Sequence, residues 1–446
     1  GQDLERKHMK TVFTNAVILI GAGNWRPIEN GYIAVDGDRI AEIGLGPYCG
    51  AADLIRDMSG KLILPGLYNM HSHTPMSILR GAGTGLALQQ WLFERMFPLE
   101  AKMNADDMRI GCRLAIAEML SGGVVSFSDM YHYPADYVQE IIDAGIKANV
   151  SFPIMEENPT GSQAHDSRFN LSVEFVRAFD ESAGGRLKAD FGIHAEYTNS
   201  AESMERYARV CREMNGRMHL HLSETAAEHD RCKQRYGKTP ARLFADLGVF
   251  ESPTIAAHCV FAEPEDIELF REKGVSPIHN PSSNMKLGSG LMPIRAMLDA
   301  GVRLTIGTDS SASNNNQNLF EEIHLAAMIH CGFQRDATLI RAEELLDMAT
   351  INGAIAQGRP DCGALKAGYK ADLIAVDLRR PHLIPNHDTA ALLVYSAQAS
   401  DVVLTMVDGR IVYEDGRLLT IDCEKMAADA DASLRRVFSV DVASAG

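Results

Sequence analysis

Strand-sized apolar runs recur through the middle of the chain, at 62–70, 124–128, 147–153, 190–194, 217–222, 254–258, 275–278 and 303–308. Helix-length amphipathic stretches separate them, such as Asp106 to Leu120, where polar and apolar positions alternate at helical spacing. Strands and helices alternating in this way, over the eight runs above, predict a parallel (β/α)8 TIM barrel. Such a barrel carries its chemistry at the C-terminal ends of its strands. The two ends of the chain read differently. Residues 10–57 alternate apolar and polar positions at strand spacing, with Asp36-Gly37-Asp38 as a hairpin signal, and 370–376 and 402–414 have the same character. A small β-sandwich domain assembled from both termini, 10–65 with 366–425, is therefore expected to flank a barrel spanning 66–365.

Polar residues interrupt these runs where the strands end. His71 and His73 follow the apolar run Leu62 to Leu64 and the Pro65-Gly66 break, and two residues apart on a strand they point to one side. His221, His258 and Asp309 close three later runs. Four convergent strand ends are hard to explain as packing. His71, His73 and His221 with the Asp309 carboxylate make an N/O donor set that suits one divalent transition metal, Zn²⁺ first, with Fe²⁺ or Mn²⁺ as alternatives. Such an ion lowers the pKa of a bound water to about 7. Glu224 stands in the loop just past His221, within reach of that water and a substrate nitrogen, and can carry a proton between them. His258 is expected to hydrogen-bond the nucleophile or the substrate. A binuclear site would need a bridging lysine at the end of the fourth strand, but His194 stands there and Lys188 lies at the wrong end, so one ion is expected. His194-Ala195-Glu196 lacks the following ProCysxxCys of the cytidine deaminases.

Composition narrows the partners. In 446 residues the hydrophobic content is 46%, the charged content 23% and the net charge −16, with Lys and Arg scattered, which argues against nucleic acid and anionic membrane. No apolar run approaches a membrane span and the first residues are charged, so a cytoplasmic protein is expected. Gly1 to His8, before Met9, reads as an appended segment. The eight cysteines form no CxxC pair and are expected to be buried free thiols.

The runs PGLYNMHSHT at 65–74, HLHLSET at 219–225, AAHCV at 256–260, SPIHNPSSNMKLGSG at 276–290 and GTDSSASNNN at 307–316, with the terminal β segments, resemble the amidohydrolase superfamily. The likeness covers roughly 10–425, and the branch resembled is the mononuclear-metal aminohydrolases, which includes methylthioadenosine/S-adenosylhomocysteine deaminases and triazine chlorohydrolases. It implies metal ligands His71, His73, His221 and Asp309, proton transfer through Glu224, and His258 against the nucleophile, and in the reaction expected here Asp309 accepts the water's proton. The run from Arg80 to Glu100 is similar to the deaminases' first long loop, which implies Trp91 packed on the substrate, Glu100 on ribose hydroxyls and His194 as a further sugar contact. Phe152 stands where the deaminases of S-adenosylhomocysteine carry a tail-binding arginine, and Arg168 is the candidate for a second such arginine. The resemblance also implies a homo-oligomer. The activity expected is hydrolytic loss of an amine from an aromatic N-heterocycle, a 6-aminopurine nucleoside first. A triazine, guanine or pterin ring is the alternative, and a barrel that binds without catalysis is the remote one.

Overall fold

The computed structural model describes residues 9–156 and 166–438; Gly1 to His8 lies outside them. Eight parallel strands run in sequence order around a barrel: Leu67–Ser72, Val124–Met130, Lys147–Ile154, Leu187–Ile193, Met218–Leu222, Thr254–His258, Ser276–His279 and Thr305–Ile306. Nearly every strand residue is buried, because helices cover the outer face and side chains fill the inner one. The hydrogen-bonded ladder is open between the eighth and first strands, and the Asp309 N–H donates to the His71 C=O at 2.9 Å across that seam.

The helices begin at polar caps that the sequence supplies. Ala105–Ser121 starts at Asn104 and Ala226–Tyr236 at Thr225, each with a reciprocal acid three residues on, Asp107 and Glu228. The second of these caps also shapes the site.

A separate nine-stranded mixed sheet draws on both ends of the chain. Its N-terminal strands include Lys10–Ile18, Ile28–Asp36, Arg39–Leu45 and Lys61–Pro65, and its C-terminal ones Leu373–Asp377, Val402–Val407 and Arg410–Glu414. Phe13, Ile33 and Val35 from one wing meet Leu373, Leu404 and Met406 from the other in one apolar cluster. The wings close where the turn at Gly37 meets Gly409, so tightly that a Cβ on Gly409 would fall 2.0 Å from the Gly37 carbonyl oxygen. One expectation is corrected here. The run 62–70 is not one barrel strand, since Leu62 to Leu64 pair with Leu373–Asp377 in the terminal sheet and only Leu67 onward enters the barrel. Pro65-Gly66 marks the passage, and Gly66 is required there because a Cβ would lie 2.2 Å from a Val125 methyl.

The helix Cys423–Val437 returns from the terminal sheet to the barrel, where Asp429 pairs with Arg113 at 3.2 Å. All eight cysteines are unpaired, and Cys49 and Cys423 are exposed rather than buried. Among the described residues no helix is long and apolar enough to cross a membrane.

Candidate metal and active site

The strand ends that the sequence singled out do converge. The register of the first strand slips against the second between Asn69 and Ser72, an irregularity that re-aims side chains at a barrel rim. His71 and His73 then stand edge to face with ring centroids 4.8 Å apart, and the His221 ring lies 5.0 Å from His71. Backbone strain gathers in the same place. Ser223, His258, Cys259 and Asp309 all have left-handed φ, between 47° and 78°, a conformation that non-glycine residues adopt where the surroundings impose it.

Hydrogen bonds settle the tautomers around the centre. His73 Nδ1 donates to the Met130 carbonyl and His221 Nδ1 to the His194 carbonyl at 2.6 Å, so each ring keeps its lone pair on Nε2. Those two Nε2 atoms face each other at 3.4 Å. Asp309 Oδ1 lies 3.3 Å from His73 Nε2 and 3.5 Å from His71 Nε2. The His71 Nε2 is buried with no hydrogen-bond partner. Opposed lone pairs, an orphaned imidazole nitrogen and a carboxylate on one point are repulsive by themselves and are satisfied by a cation among them. The carboxylate draws positive charge to this point: burial opposes charge on His73, yet Asp309 lifts its pKa to about 8, with a proton on Nε2 that a bound cation would displace, while Asp309, against its own burial, is held well below the carboxylate range by His71 and His73. These side chains can hold a divalent transition metal, and His71, His73 and His221 form one compact donor group while His71, His258 and Asp309 form another.

A shell the sequence reading missed holds these donors in place. His219, two residues before His221 and so on the same side of its strand, puts Nε2 2.9 Å from His71 Nδ1. Ser283 and Ser313 donate to Asp309 Oδ2 at 2.6 and 3.0 Å. Asn69, Thr308 and Gln317 bond one another beneath the centre and tie the first strand to the loop after the eighth. The period-two argument made for His71 and His73 applies equally to His219 and was the available signal; the serines and amides carried none.

Glu224 and His258 face each other over the donors, His258 Nε2 lying 3.6 Å from Glu224 Oε2 and 4.0 Å from Asp309 Oδ2. The His258 Nδ1 bonds Asn284 Oδ1 at 2.8 Å, which leaves the Nε2 lone pair toward the cavity. Burial lowers the His258 pKa and keeps the ring neutral. Burial, then the charges of Asp309 and Glu228, push Glu224 well above the usual carboxyl range. Its loop is held by Glu228, which accepts the N–H groups of Ser223 at 3.0 Å and Glu224 at 2.9 Å.

A cavity opens onto these groups. Trp91, Glu100 and His194 line it with His73, His221, Glu224, His258 and Asp309. Trp91 is buried with its indole N–H unpartnered, and Glu100 accepts from the Tyr131 hydroxyl at 2.6 Å. Arg168 does not line this cavity: it lies one layer behind, against His132, with Phe152 beneath its guanidinium. Lys188 sits inside the fourth strand at its N-terminal end, paired with Glu181 and remote from the donors.

A parallel barrel with a strand-end donor cluster and a buried acid beside it defines a metal-dependent hydrolase. Residues 62–412 match the amidohydrolase family, and the chain belongs to that family. It is similar to a 5-methylthioadenosine/S-adenosylhomocysteine deaminase of Dictyoglomus thermophilum, with 41% identity over 91% of this chain and 94% of that one. A 5′-deoxyadenosine deaminase of Methanosarcina acetivorans is 38% identical over 94% of this chain and 96% of its own. Among solved structures, an adenosine deaminase from Xanthomonas campestris with bound zinc superposes with a TM-score of 0.92 at 29% identity, covering 97% of this chain and all of that one.

Proposed function

We propose that the chain is a metal-dependent deaminase that hydrolyses the exocyclic amine of 6-aminopurine nucleosides and releases ammonia. The observation that carries this reading is the placement of the buried Glu224 carboxyl and of His258 over the donor group that includes Asp309, with His258 Nε2 lying 3.6 Å from Glu224 and 4.0 Å from Asp309. A group that can give a proton and one that can take it thus stand around one point. The names of the relatives support the adenosine-type substrate, and the cavity-lining carboxylate of Glu100 supports a sugar-bearing substrate over a bare ring.

His71, His73, His221 and Asp309 would hold one ion per chain, Zn²⁺ by the donor chemistry and by the likeness to a zinc-bound deaminase. When bound, that ion supplies Lewis acidity and brings a water toward ionisation near neutral pH. Asp309 takes the proton that the water loses as its oxygen bonds to the amine-bearing ring carbon. Glu224, protonated beforehand, gives its proton to the ring nitrogen, so the added charge does not build up on the purine. His258, neutral with its Nε2 lone pair toward the cavity, orients the nucleophile. The proton on Asp309 then passes to the amine and ammonia leaves, while the proton of the added hydroxyl returns to Glu224, so the ring carbon keeps the oxygen as a carbonyl and the acid is restored. Trp91 packs on the purine, Glu100 accepts from ribose hydroxyls and His194 contacts the sugar. An acidic, soluble homo-oligomer of the cytoplasm fits this substrate.

Glu224→Gln tests the reading. Metal content should stay near one ion per chain while kcat falls by about 10²- to 10⁴-fold, the usual worth of a positioned acid or base. Loss of the metal together with activity would make Glu224 a support of the ion and overturn its assignment as the acid.

A further inference from the structure

Two residues beyond the strand end that holds His73, the chain places a further histidine in the cavity wall. His132 lines the cavity, and its Nδ1 lies against Nη2 of Arg168. A guanidinium has five N–H donors and no acceptor, so His132 Nδ1 must carry the lone pair and Nε2 the hydrogen. A second proton is opposed by burial first and by the adjacent guanidinium next, both of which hold the imidazole well below its ordinary pKa. His132 therefore presents one fixed, neutral N–H donor, and among the described residues none accepts from it.

Arg168 is committed elsewhere. Its Nε donates to the Pro153 carbonyl at 3.0 Å and its guanidinium carbon stands 5.2 Å over the Phe152 ring. With Nη2 on His132, it faces the back of the histidine and not the cavity. The neighbouring wall carries Glu100 and Tyr131, already bonded to each other at 2.6 Å. A ligand end reaching this wall meets a neutral donor beside a carboxylate, with Arg168 bonded to the far side of the imidazole.

We propose that His132, pinned by Arg168, is a specificity-determining residue that favours nucleosides whose 5′ end is a small uncharged oxygen acceptor and disfavours a carboxylate-bearing tail. The inference rests on the nucleoside-deaminase reading above. A hydroxyl oxygen accepts from an imidazole N–H, a thioether sulfur does so weakly and a methyl group not at all. A site built around a donor discriminates against analogues that leave the donor unpaired.

The test compares kcat/KM for adenosine, 5′-deoxyadenosine, methylthioadenosine and S-adenosylhomocysteine in the wild-type holoenzyme, His132→Phe and His132→Phe/Arg168→Met. Wild type should prefer adenosine over 5′-deoxyadenosine by about three- to tenfold, the range of one neutral hydrogen bond, and should handle S-adenosylhomocysteine worst. In His132→Phe the ratio of adenosine to 5′-deoxyadenosine should collapse to about one, with the change carried mainly in KM. The same substitution takes away the acceptor that holds Nη2, so the ratio of S-adenosylhomocysteine to 5′-deoxyadenosine should rise by about tenfold or more, and the double variant should lose that gain. A merely structural role would depress all four substrates together and leave the ratios unmoved; that result overturns the inference while leaving the deaminase reading intact. Wild-type protein that deaminates none of the four overturns the deaminase reading and the inference with it.

Discussion

The least visible part of the centre offers a quantitative test. His71 can offer a lone pair on Nε2 only if its Nδ1 carries the hydrogen, and that hydrogen has one acceptor, His219 Nε2 at 2.9 Å. Both side chains are fully buried, so no water can replace the bond. His219→Phe keeps a planar ring of similar size and removes the acceptor. Without a bound metal, His71 can respond by shifting its hydrogen to Nε2, where Asp309 Oδ1 lies 3.5 Å away. With metal bound it cannot, and the buried N–H is orphaned at a cost of about 1 to 3 kcal/mol. The penalty thus falls on the metal-bound state alone and weakens affinity by about 5- to 150-fold, overlapping the 10- to 100-fold typical of outer partners of metal-ligating histidines. Competition with a chromophoric chelator measures the affinity, and thermal melting of the apoprotein measures any stability loss separately. His219→Gln, whose carbonyl can accept, should recover part of the affinity. Affinity within twofold of wild type in His219→Phe, or a loss confined to apoprotein stability, would refute the reasoning.

Other expectations follow from neighbouring groups. Glu100→Ala should cut the preference for adenosine over free adenine, measured as the ratio of kcat/KM values, by about tenfold or more, because the carboxylate that accepts ribose hydroxyls is gone; an unchanged ratio would contradict its role. Because burial, then Asp309 and Glu228, raise the Glu224 pKa, activity should be present below that pKa and decline as pH rises through it, and a pH–rate profile with no alkaline limb assignable to Glu224 would contradict this. Lys147 is buried between Asp372 and Asp408 where the third barrel strand meets the terminal sheet. Lys147→Ala strands two carboxylates and should cost about 3 to 5 kcal/mol in denaturant unfolding, whereas a loss under 1 kcal/mol would show that the pair is not an interlock.

Much of the fold was legible because parallel barrel strands, buried on both faces, read as short continuous apolar runs. His71, His73, His221 and Asp309 stood out because charged and imidazole groups at the ends of such runs have no packing reason to be there. The same rule overreached at Leu62 to Leu64, which are as apolar as a barrel strand but belong to the terminal sheet. Apolar content alone cannot say which of two sheets a strand joins, and the Pro65-Gly66 break was the better guide. Arg168 shows a different limit. It was expected to supply a tail-binding arginine, but the direction of its guanidinium depends on the Pro153 carbonyl and His132, contacts that spacing does not encode. Ser283, in the short helix Pro281–Lys286, and Ser313 and Gln317, in the loop after the eighth strand, are small polar residues whose sequence gives no sign of a partner until Asp309 and the first strand are placed beside them.

The central claim, metal-assisted replacement of a purine amine by a water oxygen, is tested most directly by turnover of methylthioadenosine in ¹⁸O-labelled water. Protein carrying one zinc per chain should release one ammonia per product and place one ¹⁸O on the ring carbon that carried the amine, and chelation should stop both. Product without the label, ammonia release that persists in verified metal-free protein, or no turnover of any adenosine nucleoside would contradict the account.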